Sequence, residues 1–110
     1  MNQEEQAFKL ILHGGNARGE AYEAIDFAEE FQFDEAEQKI KDAEAEMKEG
    51  HKYQTEVVRS SEEGVTATFL MIHAQDHLMT AMAEINIAKR FIENNRKMQE
   101  LEQRLEKLEG

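Results

Sequence analysis

The feature of this sequence that most restricts its fold is a long stretch without a helix breaker. Between Thr66 and Gly110 there is no proline and no glycine, and these are the two residues that interrupt helices most strongly. The stretch predicts a helix of about 40 residues, roughly 60 Å long at 1.5 Å per residue. That is long for a bundle built from 110 residues, and shorter helices must pack along it.

Two shorter helices are predicted in the first half of the chain. Asp34, with Glu37 three residues later, is expected to be the N-cap of the second helix, and the turn-forming segment Ser60–Gly64 is expected to separate it from the third. The first helix is expected from about Gln3 to Glu29, from a stripe of residues at helical spacing: Phe8, Ile11, Leu12, Ala21, Ala24, Ile25 and Ala28. The fold class is therefore all-α, an up-down-up three-helix bundle with a long third helix, in a single domain spanning residues 1–110.

Glycines interrupt both shorter helices. Gly14-Gly15 predicts either a bend in the first helix or a place where another backbone or a phosphoryl group comes close. Gly50 precedes a polar group on the second helix that contains His51, Gln54 and Thr55. His51 has an unremarkable interpretation as a partly buried, hydrogen-bonded side chain.

Charge and composition exclude several classes of function. The net charge of −11 argues against a nucleic acid partner, because phosphate backbones are bound by clustered Lys and Arg, and it favours a basic partner. The absence of cysteine excludes disulfides and thiolate chemistry. Residues 1–5 lack the features of a signal peptide and no apolar run reaches about 18 residues, so we expect a cytoplasmic protein.

The chemistry-bearing stretch of the predicted long helix is Met71–Thr80. It places two imidazoles and a carboxylate within about one turn of an otherwise apolar run, where polar groups are costly unless they are paired or used. His73 and His77 are four residues apart and share one face, whereas Asp76 faces elsewhere. Asp76 belongs to a stripe with Phe69, Ile72, Met79 and Ala83.

Metal-dependent hydrolysis is a poor interpretation of the histidine pair. Two histidines at this spacing can share zinc, but the metalloprotease arrangement needs a glutamate directly after the first histidine, and Ala74 stands there. No obvious third ligand follows. A structural zinc site that combined the pair with Asp76 and His51 would need a geometry that the spacing does not impose. A neutral imidazole is, however, a competent nucleophile near neutral pH and can carry a phosphoryl group.

Three segments carry a resemblance to a known family. His73–Thr80 resembles the active-site segment of the enzyme IIA component of the lactose/cellobiose class of the bacterial phosphoenolpyruvate-dependent sugar phosphotransferase system. Gly15–Arg18 and His51–Thr55 match segments that the family carries in the same order. The resemblance covers nearly the whole chain, and the region after about Lys97 matches least.

The resemblance implies a cytoplasmic phosphocarrier, with His73 as the phosphoryl acceptor. His73 would receive the group from the phosphohistidine of HPr and pass it to a cysteine of enzyme IIB, driving uptake and phosphorylation of a β-linked disaccharide through the membrane IIC permease. His77 would orient His73 or bond to phosphoryl oxygens. Such transfer depends on positioning and charge stabilisation, so Gln75, Gln54 and Asn16 are candidate supporting residues.

Asp76 has two interpretations. It can hydrogen-bond to a neighbouring side chain within one subunit. Alternatively, the resemblance implies a homotrimer in which three copies of Asp76 surround one divalent cation, such as Mg²⁺, on the axis; a hard cation with oxygen ligands would relieve the repulsion between carboxylates.

The apolar residues predict two contact surfaces on the third helix. Met71 and Met79 are expected to border the surface that HPr and enzyme IIB share in turn, because methionine side chains adapt to different partners. The tail of the third helix shows a heptad-like seam that predicts either packing on other copies or fraying: Phe91, Asn94, Met98, Leu101, Leu105 and Leu108.

The sequence leaves open the class of function and the identity of the sugar. Composition and periodicity fit a helical adaptor with an acidic face as well as a phosphocarrier, and only the three segments separate the two. Nothing in the chain contacts a sugar, although the form His73-Ala74-Gln75 favours a cellobiose or chitobiose system over lactose.

Overall fold

The computed structural model describes residues 1–110 and contains three helices. Helix α1 spans Gln3–Glu29, α2 spans Phe33–Glu62 and α3 spans Phe69–Glu109. There are no strands, and the molecule measures 69 Å along its longest axis and 17 Å across. The all-α, up-down-up architecture with a long third helix is confirmed. None of the three helices combines the length and the hydropathy needed to span a membrane.

The core is built from stripes in which buried residues recur at alternating spacings of three and four. Helix α1 packs along both other helices, whereas α2 and α3 contact each other less. Phe8 and Leu12, expected on the packed face of α1, are instead about half exposed. The buried stripe of α1 consists almost entirely of small residues: Ala7, Leu10, Gly14, Ala17, Ala21, Ala24 and Ala28. Small side chains allow the helix backbones to approach closely, so α1 holds the other two helices near each other.

The turn between α1 and α2 differs from its expected capping. Phe31 adopts a left-handed conformation with φ of 59°, and the N–H of Gln32 reaches back to the carbonyl of Phe27 at 2.9 Å. This is the backward hydrogen bond of a Schellman turn, a position that glycine usually occupies. The expected N-cap at Asp34 is wrong, because α2 begins at Phe33 and Asp34 lies in its first turn, where a carboxylate favours the positive end of the helix dipole.

The connection between α2 and α3 lies later than expected. Ser60 and Ser61 belong to the last turn of α2, and Gly64, with φ of 94°, ends the helix by the same backward geometry. Helix α3 begins at Phe69 rather than near Thr66, because the Thr68 side chain accepts a hydrogen bond from the backbone N–H of Met71 at 3.1 Å.

The glycine pair of α1 does not break the helix, and its first member, Gly14, marks a close approach between helices. A Cβ added at Gly14 would lie 3.2 Å from the carbonyl carbon and oxygen of His77 and 3.3 Å from the backbone nitrogen of Leu78. Gly50 of α2 lies against the Leu78 side chain in the same way. The turn of α3 that contains His77 is therefore held between glycines of the other two helices. Gly15 has open space around it.

Candidate functional site

The two histidines of α3 form a hydrogen-bonded pair at the surface. Their Nε2 atoms are 3.1 Å apart, and the rings meet edge to face with centroids 4.6 Å apart. Residues four apart on a helix share a face, so the helical conformation of α3 is enough to bring the rings together. His73 is exposed and His77 is half-buried. His73 is therefore the ring that a partner protein can reach.

The hydrogen bond of the pair requires the two rings to take different roles. A hydrogen bond between two Nε2 atoms requires one ring to carry a proton on that nitrogen and the other to offer its lone pair. When His77 donates, Nε2 of His73 accepts with the lone pair that a nucleophile needs, so the hydrogen bond must be released before His73 attacks. The same N–H of His77 can then turn to an oxygen of a group bound to His73. The pair combines an accessible nucleophile with an adjacent donor.

A second polar group lies on the opposite side of α3. Gln54 donates from Nε2 to Oε1 of Gln75 at 2.9 Å, and Nδ1 of His51 donates to Oε1 of Gln54 at 3.0 Å. Positions 73 and 75 are separated by about 200° around a helix. The structure thus brings the two predicted supporting glutamines together, but it does not place them against His73 of the same chain. His51, expected to be partly buried, is exposed.

Asn16 and the two methionines occupy different environments. Asn16 is exposed on α1 and forms no hydrogen bond to the histidine pair. Met79 is 45% exposed, and its sulfur lies 3.6 Å from Nε2 of Gln54. Met71 is fully buried, so its expected place on the partner surface is wrong. The residue sits on the seam that faces α1 and α2, and a buried side chain cannot adapt to a partner.

Arg18 makes a bidentate contact with Glu84 on α3, and the sequence pattern gave it no role. Its Nε and Nη2 atoms donate to the two carboxylate oxygens of Glu84 at 2.8 and 2.9 Å. The hydrogen bond to Glu84 raises the pKa of Arg18 above its usual value. Glu84 lies seven residues after His77, on the same face of α3, so the pair fixes α1 against α3 two turns from the histidines. The signals were its place beside the alanine stripe of α1 and at the end of the segment Gly15–Arg18, which gave no role to the arginine itself.

Asp76 points outward, away from the other two helices. Its side chain is exposed and makes no hydrogen bond or ion pair within the chain, so the interpretation as an intrachain hydrogen-bonding group is wrong. No group of three or more His, Cys, Asp or Glu side chains in one chain converges to hold a metal ion. The zinc arrangement of His73, His77, Asp76 and His51 is therefore not formed, and a cation at Asp76 would need ligands from other copies.

Comparison with known proteins finds related sequences. The profile of the family described as "PTS system, Lactose/Cellobiose specific IIA subunit" matches residues 5–96. The lichenan-specific phosphotransferase enzyme IIA component of Bacillus subtilis is 43% identical over 104 residues, which are 91% of this chain and 94% of that protein.

Solved structures show the same fold. The cellobiose-specific enzyme IIA of Bacillus anthracis superimposes with a TM-score of 0.85 at 38% identity, covering 90% of this chain and 93% of that one. The chitobiose-specific IIA protein of Escherichia coli, solved in its complex with HPr, superimposes with a TM-score of 0.78 at 30% identity. That match covers 90% of this chain and 98% of the other.

Proposed function

Because the chain belongs to the lactose/cellobiose-specific IIA family of the sugar phosphotransferase system, we propose that it carries a phosphoryl group on His73. The observation that carries the proposal is the exposed His73 ring with Nε2 of His77 at 3.1 Å. The donor is the phosphohistidine of HPr and the acceptor is a cysteine of enzyme IIB. Family membership favours this role over that of an acidic adaptor.

The transfer exchanges one P–N bond for another. Nε2 of His73 attacks the phosphorus of the donor phosphohistidine as the donor P–N bond breaks, and the departing imidazole keeps the electron pair and takes up a proton. The charge of the transferred group is spread over its oxygens, so a correctly placed donor stabilises the transition state. His77 Nε2–H supplies such a donor. In the next step a cysteine thiolate of enzyme IIB attacks the same phosphorus and His73 leaves with the electron pair.

The assembly that accompanies this function is a homotrimer formed through the outward stripe of α3. Several members of the stripe are well exposed in the single chain: Phe69 87%, Ile72 53% and Met79 45%. Exposed apolar surface of this kind is typical of an interface. Gln75 and His73 lie on opposite flanks of Asp76, because they are displaced by about 100° and 60° in opposite directions around the helix. A threefold axis along the stripe therefore turns Gln75 and Gln54 of one copy toward His73 of the next.

A divalent cation such as Mg²⁺ fits the axis of that trimer. Asp76 is exposed, unpaired and flanked by apolar side chains, and carboxylate oxygens are the ligands that hard cations prefer. Three equivalent carboxylates would hold one cation, which would neutralise their mutual repulsion. The cation is structural in this arrangement, because Asp76 forms no hydrogen bond with the histidine pair.

The transported sugar is proposed to be β-linked. The relatives include lichenan-specific, cellobiose-specific and chitobiose-specific components, and the chain is a cytoplasmic intermediate that serves the membrane IIC permease through enzyme IIB. The decisive experiment is incubation with phosphoenolpyruvate, enzyme I and HPr, followed by mapping of acid-labile phosphate. Phosphate on His73 supports the proposal, and a chain that takes up no phosphate refutes it.

His77 is expected to accelerate transfer without being the acceptor. Loss of one transition-state donor typically costs about 10²-fold or more in rate, so His77→Ala should slow phosphorylation by about two orders of magnitude while the final extent of labelling stays near that of the wild type. His77→Gln, which keeps an N–H donor, should recover part of the rate. Rapid-quench kinetics measure both. A wild-type rate in His77→Ala would remove His77 from the site.

The trimer is expected to depend on divalent cation through Asp76. Chelation should weaken the wild-type assembly in sedimentation equilibrium because three carboxylates then face one another. Asp76→Leu should assemble without any dependence on metal, since it removes the repulsion and buries apolar surface worth about 1.5 to 3 kcal/mol per side chain. Asp76→Asn, of equal size but neutral, should also lose the dependence. A wild-type monomer at micromolar concentration, or a trimer that Asp76→Leu disrupts, would contradict this arrangement.

A further inference from the structure

The segment that joins α2 to α3 is only weakly held by packing. Residues 65–68 have no regular secondary structure, and every residue from Ser61 to Phe69 is exposed. The first fully buried side chain of α3 is that of Met71. A cavity of about 200 Å³ adjoins the segment and is lined in part by Val65 and Ala67. Apolar burial therefore contributes little to the position of this segment.

The side chain of Gln3 on α1 ties the same segment to the bundle. Its Oε1 accepts a hydrogen bond from the backbone N–H of Thr68 at 2.6 Å, and its Nε2 donates to the backbone carbonyl of Thr66 at 3.3 Å. Neither of these backbone groups has a backbone partner. The chain at Thr68 is extended, so one side-chain amide can serve both groups as a neighbouring strand would. We call these two hydrogen bonds the Gln3 clamp.

The Gln3 clamp acts on the residue that begins α3. Thr68 is the N-cap of α3, and its side chain accepts from the N–H of Met71 at 3.1 Å. The Thr68 carbonyl accepts from the N–H of Ile72, also at 3.1 Å. The first four N–H groups of a helix have no partner within the helix, so a cap is needed to close its first turn. The position of Thr68 therefore determines where α3 becomes helical.

The histidine pair lies directly after this first turn. His73 follows Thr68 by five residues, and a helical side chain leans over the turn that precedes its own residue. The His73 ring therefore leans over the turn that begins at Phe69. Its distance of 3.1 Å from Nε2 of His77 requires that His73 keep its helical position. A first turn that opens allows the His73 ring to move away from His77.

We propose that Gln3 is a positioning residue for phosphoryl transfer, because the Gln3 clamp keeps the first turn of α3 closed and the His73 ring beside His77. The inference rests on the proposed role of His73 as the phosphoryl acceptor. Gln3 forms no hydrogen bond with either histidine, so it acts only through Thr68. It also lies outside the residues 5–96 that the family profile matches.

A matched control lies one turn later on α1. Gln6 is half-buried like Gln3 and lines the same cavity, but its Nε2 donates to Oε2 of Glu56 on α2 at 3.1 Å. Gln6 therefore ties α1 to α2 and forms no hydrogen bond with the start of α3. Gln3→Met and Gln6→Met remove the same amide and keep a side chain of similar length. A difference between the two variants measures the Gln3 clamp.

Amide hydrogen exchange tests the clamp without any phosphoryl transfer. The N–H groups of Met71 and Ile72 bond to Thr68, so their protection reports whether the first turn is closed. Helix ends open at little cost in free energy, and loss of the clamp should shift that opening by up to about tenfold. Both amides should exchange at least about threefold faster in Gln3→Met, and Gln6→Met should resemble the wild type. Wild-type exchange in Gln3→Met would overturn the proposal.

The single-turnover rate of phosphorylation at saturating phosphorylated HPr is the functional measurement. A turn that is mostly closed in the wild type becomes mostly open without the clamp, so Gln3→Met should transfer about threefold more slowly. Gln6→Met should stay near the wild-type rate. Gln3→Glu keeps an acceptor for the N–H of Thr68 and should recover part of the rate. A wild-type rate in Gln3→Met, an equal loss in Gln6→Met, or no recovery in Gln3→Glu would contradict the positioning role.

A His77→Ala background separates positioning of the pair from a general loss of stability. Because the His77 ring is already absent there, adding Gln3→Met should slow transfer little further. A merely structural role would slow both backgrounds by the same factor, and that result would overturn the proposal. Gln3→Met should still reach the wild-type extent of phosphate on His73. Failure of the positioning role therefore leaves labelling intact, whereas failure of the phosphocarrier role removes labelling and leaves the exchange difference between Gln3→Met and Gln6→Met.

Discussion

His73→Ala is expected to abolish phosphate uptake from phosphorylated HPr. His73 is the exposed residue of the histidine pair, and alanine offers no nucleophile in its place. The side chain is exposed, so the substitution should change the free energy of unfolding by no more than about 0.5 kcal/mol. The measurement is the yield of acid-labile phosphate after incubation with phosphoenolpyruvate, enzyme I and HPr, beside a denaturation curve of the same variant.

The chain provides matched controls, since it has only four histidines. His13 pairs with Glu46 at 2.7 Å, between α1 and α2, and His51 lies on the opposite side of α3 from the pair. His13→Ala and His51→Ala should both reach the wild-type extent of labelling. If His73→Ala were labelled to the wild-type extent, another histidine would have to be the acceptor, and the proposed site would be refuted.

The fold could be predicted from the sequence largely because α3 contains no breaker and α1 is well delimited. Asn2 caps α1 by accepting from the N–H of Glu5 at 2.8 Å, and the predicted limits of α1 agree with the structure. The start of α2 could not be placed in the same way. Phe31 occupies a left-handed position that normally selects glycine, so the turn has no characteristic residue, and the N-cap of α2 is Gln32 rather than the predicted Asp34.

The site was predicted in part. Two histidines four residues apart must share a helix face, and this pair depends on no tertiary contact. Gln75 is different, because whether it supports His73 depends on a second copy of the chain. The burial of Met71 and Gly14 could not be predicted from the pattern of one helix alone. It depends on which face of α3 packs against α1, and the stripe of small residues on α1 is the feature of the sequence that indicates this contact.

The second large effect is expected at Gly14. A Cβ there would press on the backbone of α3 at His77, at 3.2 Å from the carbonyl oxygen, and a helix backbone cannot yield by rotating a side chain. Overpacking of a close contact typically costs 1 to 3 kcal/mol and occasionally more. Gly14→Leu should therefore lower the free energy of unfolding by about 3 kcal/mol, and Gly14→Ala by about 1 kcal/mol. Urea denaturation followed by circular dichroism measures both values.

Gly15→Ala is the control that separates the cost of the close contact at Gly14 from the gain in helix propensity when a helical glycine is replaced. Both glycines lie inside α1, so each substitution gains a similar helix propensity of about 1 kcal/mol, but Gly15 has no atom within 4 Å of an added Cβ. Gly15→Ala should stabilise the chain while Gly14→Ala destabilises it. Displacement of α3 at Gly14 also moves His77, so Gly14→Ala should transfer phosphate more slowly under conditions where it is fully folded. Equal stabilities of the two alanine variants would mean that α1 and α3 do not approach closely at the histidine pair.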